Sequence, residues 1–434
     1  MAKAKSKKIT LEEALVPVEE QPYKVPENWC WIHLLDSFDN VTDSKKKLAT
    51  KEYLEDGEYP IIDQGQDFIG GYTDDADMIY DGELPIVIFG DHTRCIKYID
   101  FQFAQGADGV KVLKPKQFWN DKAFYYAMQS IEIPNMGYRR HYPLFKDFCI
   151  PLPPLAEQKR IVEQIESLFS KLDEAKEKAQ EVIDRIETNI EAILYNVFSG
   201  KLTQYWRKEN GVDYNWEKST LSKIVSGLKY GSSEKSDYNN NGTPVLRIPN
   251  IGEGVIDFSD LKYMQGELEN SSHEVFENDI LIIRSNGSRD LVGKCAIVPA
   301  LERRFAYASF LIRIKASDQV LPNYLVRYIN SSMARGQLFA KAKSSSGIHN
   351  INSKELGSIR IDVPTIEEQT EILKIIEPLI KKELAVKNIT SHMIENIAEL
   401  KKSILTKAFR GELGTNVSLE ESSIELLKKT IEEG

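Results

Sequence analysis

The residues best suited to meet another molecule sit in glycine-bearing loops, and their chemistry is that of binding. Gly137-Tyr138-Arg139-Arg140-His141-Tyr142 sets planar cations beside aromatics. An arginine fork can grip phosphate or a guanine edge, and a tyrosine can stack or donate. Ser344-Ser345-Ser346-Gly347-Ile348-His349-Asn350 stands at nearly the same place before a later helix. It offers the donors Ser345, Ser346 and His349, and Asn350 suits an adenine edge. Arg284, Ser285, Asn286, Ser288 and Arg289 leave a strand into a turn, with Lys294 following; the counterpart is Gly90 to Arg94, carrying His92 and Arg94, with Lys97 beyond. Gln64 and Gln66 mark another turn, and Arg247 and Asn250 complete the candidate set.

Bond-making chemistry finds no comparable footing. Gly287 to Lys294 reads GSRDLVGK, but its glycines stand one residue too far apart for a phosphate loop, and Cys295 occupies the place of the magnesium-binding hydroxyl. Pro153-Pro154 is followed by Leu155, where an adenine methyltransferase tetrad would need an aromatic. No glycine-rich turn joins a strand to a helix in a dinucleotide-binding pattern. The six histidines lack metal spacing, so no metal or cofactor is expected in this chain.

The whole chain of 434 residues carries a net charge of −10. Residues 26–150 hold 13 basic and 21 acidic side chains, a net of −8, whereas residues 212–363 hold 19 and 17, a net of +2. Affinity for DNA leans on neutralised phosphates, so basic residues must cluster or a partner must supply charge. No run of about 18 apolar residues suggests a membrane span. Met1 to Lys8 is basic without an apolar stretch behind it, unlike a secretory signal, and the four cysteines (Cys30, Cys95, Cys149, Cys295) form no CxxC pair. A cytoplasmic protein is expected.

These loops are positioned by a repeat. Pro153 to Leu202 aligns without a gap with Pro364 to Leu413 at an offset of 211 residues, matching Glu157 with Glu368, Gln158 with Gln369, Phe198 with Phe409 and Gly200 with Gly411. Asn28-Trp29 and Asn215-Trp216 echo one another before each intervening block, at an offset of 187. The repeated segments have helical periodicity. Ile161, Ile165, Leu168, Leu172, Val182 and Ile186 mark a heptad seam in the first, and Ile372, Ile376, Leu379, Val386, Met393 and Leu400 in the second. Some 40 residues of helix span roughly 60 Å. Pro378 is expected to end a short helix near Ile376 and bend the chain. Two such helices in one chain most simply pack antiparallel as a coiled coil.

Each block between them reads as strands, then one helix, then a polar loop. Strands are expected at Ile86 to Phe89, Val110 to Leu113, Ile280 to Ile283, Ala296 to Val298 and Phe310 to Ile314, and helices at Asp121 to Gln129 and Asn323 to Leu338. The fold class is α+β: two mixed α/β domains, two long helices and a pseudo-two-fold repeat. The expected boundaries are an extension at 1–25, a first block at 26–152, a central helical region at 153–211, a second block at 212–363, a distal helical region at 364–413 and a tail at 414–434.

Pro-Leu-Pro-Pro-Leu-Ala-Glu-Gln (151–158), Val-Pro-Thr-Ile-Glu-Glu-Gln (363–369), Phe-Ser-Gly-Lys-Leu (198–202), Phe-Arg-Gly-Glu-Leu (409–413), Val25 to Trp29 and Arg284 to Lys294 resemble the repeated regions of type I restriction-modification specificity subunits. The resemblance spans nearly the whole chain and rests on order, spacing and duplication. It implies that each block is a target recognition domain for one half of a split double-stranded DNA sequence, that the helices act as a ruler, and that the helical regions dock two methyltransferase subunits. Motor-nuclease subunits complete the restriction complex. S-adenosylmethionine, ATP and Mg2+ belong to those partners, and this chain is a non-catalytic subunit. The acidic first block departs from an ordinary DNA reader and motivates the alternative of a coiled-coil adaptor whose blocks bind proteins.

Overall fold

The computed structural model describes residues 10–107, 109–214, 216–265, 268, 273–341, 343–345 and 348–433. Met1 to Lys8, Asn215, Ser346 and Gly347 therefore lie outside the described residues. The chain forms two compact units, Met1–Ala179 with His392–Gly434, and Gln180–Ser391.

In the first unit the strand Ile86–Gly90 is the organising element. It sits inside an antiparallel four-stranded sheet in the order Phe38–Asn40, Val110–Pro115, Ile86–Gly90, Ile96–Ile99. Side chains alternate across a strand, and here both faces are covered. Ile86 and Ile88 pack with Ile62, Phe103 and Val112, toward a second, mixed sheet of Lys47–Leu48, Ala104–Gly106, Tyr59–Ile62 and Gly71–Thr73. Val87 and Phe89 pack on the opposite side with Phe124 and Met128 of the helix Asp121–Ser130, and that cluster runs on to Ile161 and Ile165 of the first long helix and Leu405 and Phe409 at the end of the second. A strand buried on both faces reads as an unbroken apolar run, which is why Ile-Val-Ile-Phe is legible as one.

The second unit repeats the plan with a different parity. Ile280–Ile283 lies in a five-stranded sheet in the order Val225–Tyr230, Leu311–Ala316, Ile280–Ile283, Cys295–Ile297, Gly254–Val255. Its even residues join Tyr324 and Tyr328, Leu194 and Phe198, and Ile372, Ile376 and Ile380 in one core. Its odd residues face Leu246, Phe305 and Tyr307 of a second sheet. The single helix expected at Asn323 to Leu338 is two, Pro322–Asn330 and Ser332–Lys341, separated at the buried Ser331, whose hydroxyl donates to Tyr328 O at 2.6 Å.

Each block is closed by pairing its entry strand with its exit strand. Cys30–His33 runs antiparallel to Cys149–Leu152, and Glu217–Thr220 to Arg360–Val363. The chain therefore leaves each block beside the point where it entered and passes directly into a long helix, Leu155–Phe198 or Ile366–Ala408.

The long helices pair antiparallel within each unit. In the first unit Asp173 Oδ1 meets Lys401 Nζ at 2.6 Å, and the start of the first helix lies near the segment that follows the second. In the second unit Glu187 meets Lys387 at 2.9 Å, and Asn189 meets Glu383 at 3.5 Å. Two expectations fail. Pro378 does not end a helix; Ile366–Ala408 is one helical element of 43 residues. Pro378 and Lys374 both lie on the exposed side of the helix, where water can take up the carbonyl that proline leaves unbonded, which reduces the usual cost.

The seam also differs. Ile161, Ile165, Ile186, Ile372 and Ile376 are buried, and Leu168 and Leu172 half-buried, but Val182, Leu379, Val386, Met393 and Leu400 are exposed. An α-helix turns every 3.6 residues, so a strict seven-residue row drifts by about 20° per heptad. In the second helix the shift comes from two successive steps of four, Ile372 to Ile376 to Ile380; beyond them Ile376, Thr390 and Ile397 keep multiples of seven and stay buried, while Leu379, Val386 and Met393 turn outward. In the first helix Ile183 replaces Val182 after Ala179 in the same way.

Candidate nucleic-acid interface

In the first block three candidate loops meet. Backbone N–H of His92 donates to Gln64 Oε1 at 3.1 Å, and Thr93 Oγ1 to Gln64 O at 2.5 Å, binding the Gln64 turn to the loop after the central strand. Gln66 is exposed and accepts from Cys95 Sγ at 3.4 Å. The His92 ring stacks on Tyr138 with centroids 5.0 Å apart and planes 14° apart. Tyr138, Arg139 and Arg140 are exposed. Arg94 has φ 64° and donates from Nη1 to Ile133 O at 3.0 Å, so it braces the base of the same loop.

Two candidates in this block have interior roles. Lys97 is buried; Nζ donates to Asp63 O at 2.9 Å and Asp67 O at 2.5 Å and pairs with Asp63 Oδ1 at 3.7 Å. Desolvation draws its pKa below the ordinary lysine value, with Asp63 opposing. His141 is fully buried. Met136 N–H donates to Nε2 at 3.2 Å, which leaves Nδ1–H to donate to Asp91 O at 2.8 Å. Both side chains hold loops in place and present nothing to a ligand.

In the second block a three-stranded sheet gathers the candidates. Ser285–Asn286 pairs with Ile348–Asn350, which pairs with Lys343–Ser345. Ser285 lies opposite Asn350 and Asn286 opposite His349. Asn286 Oδ1 accepts from Ser288 N–H at 2.7 Å, tightening the turn. Arg284 lies over the Tyr230 ring at 4.9 Å and donates to Ser309 O at 3.3 Å; exposed Arg289 lies over Phe339 at 5.0 Å. Asn350 Oδ1 is buried and has no hydrogen-bond partner among the described residues. Arg247 and Asn250 are engaged with an acidic loop of their own block. Arg247 pairs with Asp260 at 3.0 Å, and buried Asn250 donates to Asp257 O at 2.8 Å and Asp260 O at 2.9 Å, stapling a loop. Lys294 lines a separate cleft of about 500 Å³ that includes Glu191, Leu194, Arg327 and Lys387.

That cleft has a counterpart. In the first unit a cleft of about 790 Å³ lies between Thr93–Ile96, Gln129–Pro134 and Lys402 and Leu405 of the second long helix. Lys402 and Leu405 are the repeat equivalents of Glu191 and Leu194, each 211 residues later. Block and helix thus meet at equivalent positions in the two units.

The joints that hold the blocks were not foreseen from sequence. Glu157 and Glu368, the repeated glutamates, are buried. Glu157 Oε2 accepts from Trp29 Nε1 at 2.7 Å and Asn416 Nδ2 at 2.8 Å, and Oε1 from Thr415 Oγ1 at 3.1 Å. Glu368 Oε2 accepts from Trp216 Nε1 at 2.9 Å, and Oε1 from Thr203 Oγ1 at 2.5 Å and from the Arg207 guanidinium. The adjacent glutamines repeat too. Gln158 accepts from Asn120 N–H at 2.6 Å and donates to Phe118 O and Pro153 O; Gln369 accepts from Leu321 N–H at 2.7 Å and donates to Gln319 O and Pro364 O. Each Glu-Gln pair thus fastens the start of a long helix to its own block and to the segment that follows the other helix. The signal in the sequence was the doubled Asn-Trp and Glu-Gln motifs, whose different offsets hid their pairing.

The type I restriction modification DNA specificity domain family matches twice, at residues 26–185 and 214–396, and the chain belongs to that family. It is similar to the type I restriction enzyme EcoKI specificity subunit of Escherichia coli (strain K12), 31% identical over 290 residues, which cover 64% of this chain and 62% of that one. The StySPI specificity subunit of Salmonella potsdam is 26% identical over 61% of this chain and 57% of its own length. The matches thus span less than two thirds of these two relatives. A solved chain described under complex assembly and conformational transition of the type I R-M system shares the fold, with a TM-score of 0.59 and 19% identity over 90% of this chain and all of that one. The chain is a specificity subunit of a type I restriction-modification system. Among the described residues no helix is long and apolar enough to cross a membrane.

Proposed function

We propose that this subunit reads a bipartite double-stranded DNA target, one half through each block, and directs adenine methylation and restriction by partner subunits while catalysing neither. The observation that carries this reading is the doubled joint: Glu157-Gln158 with Trp29, and Glu368-Gln369 with Trp216, fix two dissimilar blocks to helices in the same manner. Dissimilar loops on equivalent mounts suit unlike half-sites. The loops in question are Gln64–Gln66, His92–Arg94 and Tyr138–Arg140 in the first block, and Arg284–Arg289 with Lys343–Asn350 in the second. The target recognition domains are residues 26–152 and 212–363, and the helices set the spacing between half-sites, which DNA geometry places about 34 Å apart per helical turn.

Two methyltransferase subunits are the expected partners on the helices, with motor-nuclease subunits completing the restriction complex. Leu379, Val386 and Ile389 in the second unit are exposed apolar side chains on a helix face, as are Met393 and Leu400 in the first. Such faces suit helices of another chain. S-adenosylmethionine, ATP and Mg2+ are assigned to those partners, and the working compartment to the cytoplasm. Sequencing methylated adenines in cells with and without the gene, partners present, tests the reading. A split motif disappears on deletion; an unchanged methylome refutes it.

The net charge of −8 over residues 26–150 favours one rival, an adaptor whose blocks bind proteins. A gel shift with the methyltransferase present separates the two, since an adaptor shows no preference among DNA sequences.

A further inference from the structure

We propose that Tyr138 is an aromatic wedge, stacking its ring on a nucleobase at an opened step of the half-site read by the first block, with His92 as the fixed layer behind it. This rests on the DNA-reading function proposed above and names how one block engages the duplex.

Tyr138 is 90% exposed, yet its ring is not free. It lies nearly parallel to the His92 imidazole, 14° apart with centroids at 5.0 Å, so one face is backed and the rest is offered outward. His92 is itself held, its backbone N–H on Gln64 Oε1 at 3.1 Å. A third planar ring extends such a pair at little cost, because neither partner must be ordered first.

The loop that carries Tyr138 is stiff at its base and open at its tip. His141 is locked at both ring nitrogens, and Tyr142 N–H donates to Asp91 Oδ1 at 2.7 Å. Asn135 Oδ1 accepts from Gly137 N–H at 3.0 Å. Gly137 takes φ +68°, and a Cβ there would meet nothing within 4 Å. That left-handed turn throws Tyr138 outward, and only glycine adopts it without strain.

The charges point the same way. Arg139 and Arg140 follow directly, both exposed, and no ion pair joins them to a carboxylate among the described residues. They suit the phosphates that flank an opened step. The remainder of this block is acidic, so a flat approach of its surface to the duplex is repelled. A short cationic finger reaching into a groove avoids that repulsion. Side chains that wedge between bases also unstack and kink DNA.

The test uses the chain assembled with its methyltransferase partner and duplexes bearing 2-aminopurine, one position at a time, through both half-sites. A fluorescence rise is expected in one half-site at a step other than the methylated adenine. Tyr138→Ala removes that rise and weakens binding roughly ten- to a hundredfold, the range for loss of a base–aromatic stack. Tyr138→Phe keeps both. Tyr138→Ala with unchanged fluorescence and binding within about twofold of the native complex overturns the wedge. Tyr138→Phe as damaging as Tyr138→Ala overturns it too, assigning the effect to the hydroxyl. A native complex with no preference for its motif over a scrambled duplex instead sinks the DNA-reading function itself.

Discussion

Glu157 and Glu368 occupy the same place in the repeat, but replacing each by glutamine should have unequal effects. Among the described residues the donors that meet Glu157 are neutral: Trp29, Thr415 and Asn416. Arg160, close by, is paired with Glu420 instead, at 2.7 Å. A glutamine amide can keep the Trp29 bond through its oxygen, and the remaining mismatch costs about 1 kcal/mol, one ordinary hydrogen bond. Glu368 instead neutralises Arg207, and both side chains are almost wholly buried. Glu368→Gln leaves the guanidinium with Gly200 O, Thr203 Oγ1 and the Tyr214 ring, 4.7 Å away. Removing one partner of a buried pair costs about 3–5 kcal/mol, because the other charge stays buried. At roughly 2–4 °C per kcal/mol for a unit of this size, the melting point falls by about 6–20 °C for Glu368→Gln and about 2–4 °C for Glu157→Gln. Calorimetry of the full chain, with hydrogen exchange to show which unit opens, reads both. Equal destabilisation by the two substitutions, or a Glu368→Gln loss below about 1 kcal/mol, refutes the argument.

Other outcomes follow from the same contacts. Arg139→Ala with Arg140→Ala weakens recognition of one half-site and spares thermal stability, whereas Lys97→Ala lowers stability by about 1–3 kcal/mol, since the carbonyls of Asp63 and Asp67 lose a buried donor; melting curves and half-site binding read the contrast. Inserting seven residues after Ala179, with seven more in register in the second long helix, changes the spacer tolerated between half-sites; methylation sequencing with an unchanged spacer rejects the ruler. Leu379→Asp or Val386→Asp, on an exposed face, leaves melting within about 0.5 kcal/mol of the native chain but reduces co-purification of the methyltransferase; undiminished co-purification removes that face from the docking site.

The repeat and the block–helix order were legible because an ungapped match over some fifty residues and the apolar runs at Ile86 and Ile280 are local signals. The seam was less so. Leu379, Val386, Met393 and Leu400 form the better apolar row, but the inward row passes through half-buried Glu383 and Lys387 and buried Thr390, and Lys387 meets Glu187 at 2.9 Å and Glu253 at 2.6 Å. A pattern of apolar letters cannot register a seam held partly by charge. Lys97 and His141 read as ligand-facing because each stands close to a polar loop, yet their partners, Asp63 and Asp67 for Lys97 and Asp91 for His141 fifty residues away, are fixed only by folding. Tyr138, Arg139 and Arg140 are exposed, as a polar loop at a glycine suggests, because exposure at a glycine turn is itself local.

The most direct measurement of the central claim exchanges one head. Residues 26–152 are replaced by the matching block of a related specificity subunit, and methylated adenines are sequenced in cells that supply the partners. One half of the motif should change, while the other half and the spacer stay as they were. Alteration of both halves, or of neither, contradicts the assignment of one half-site to each block.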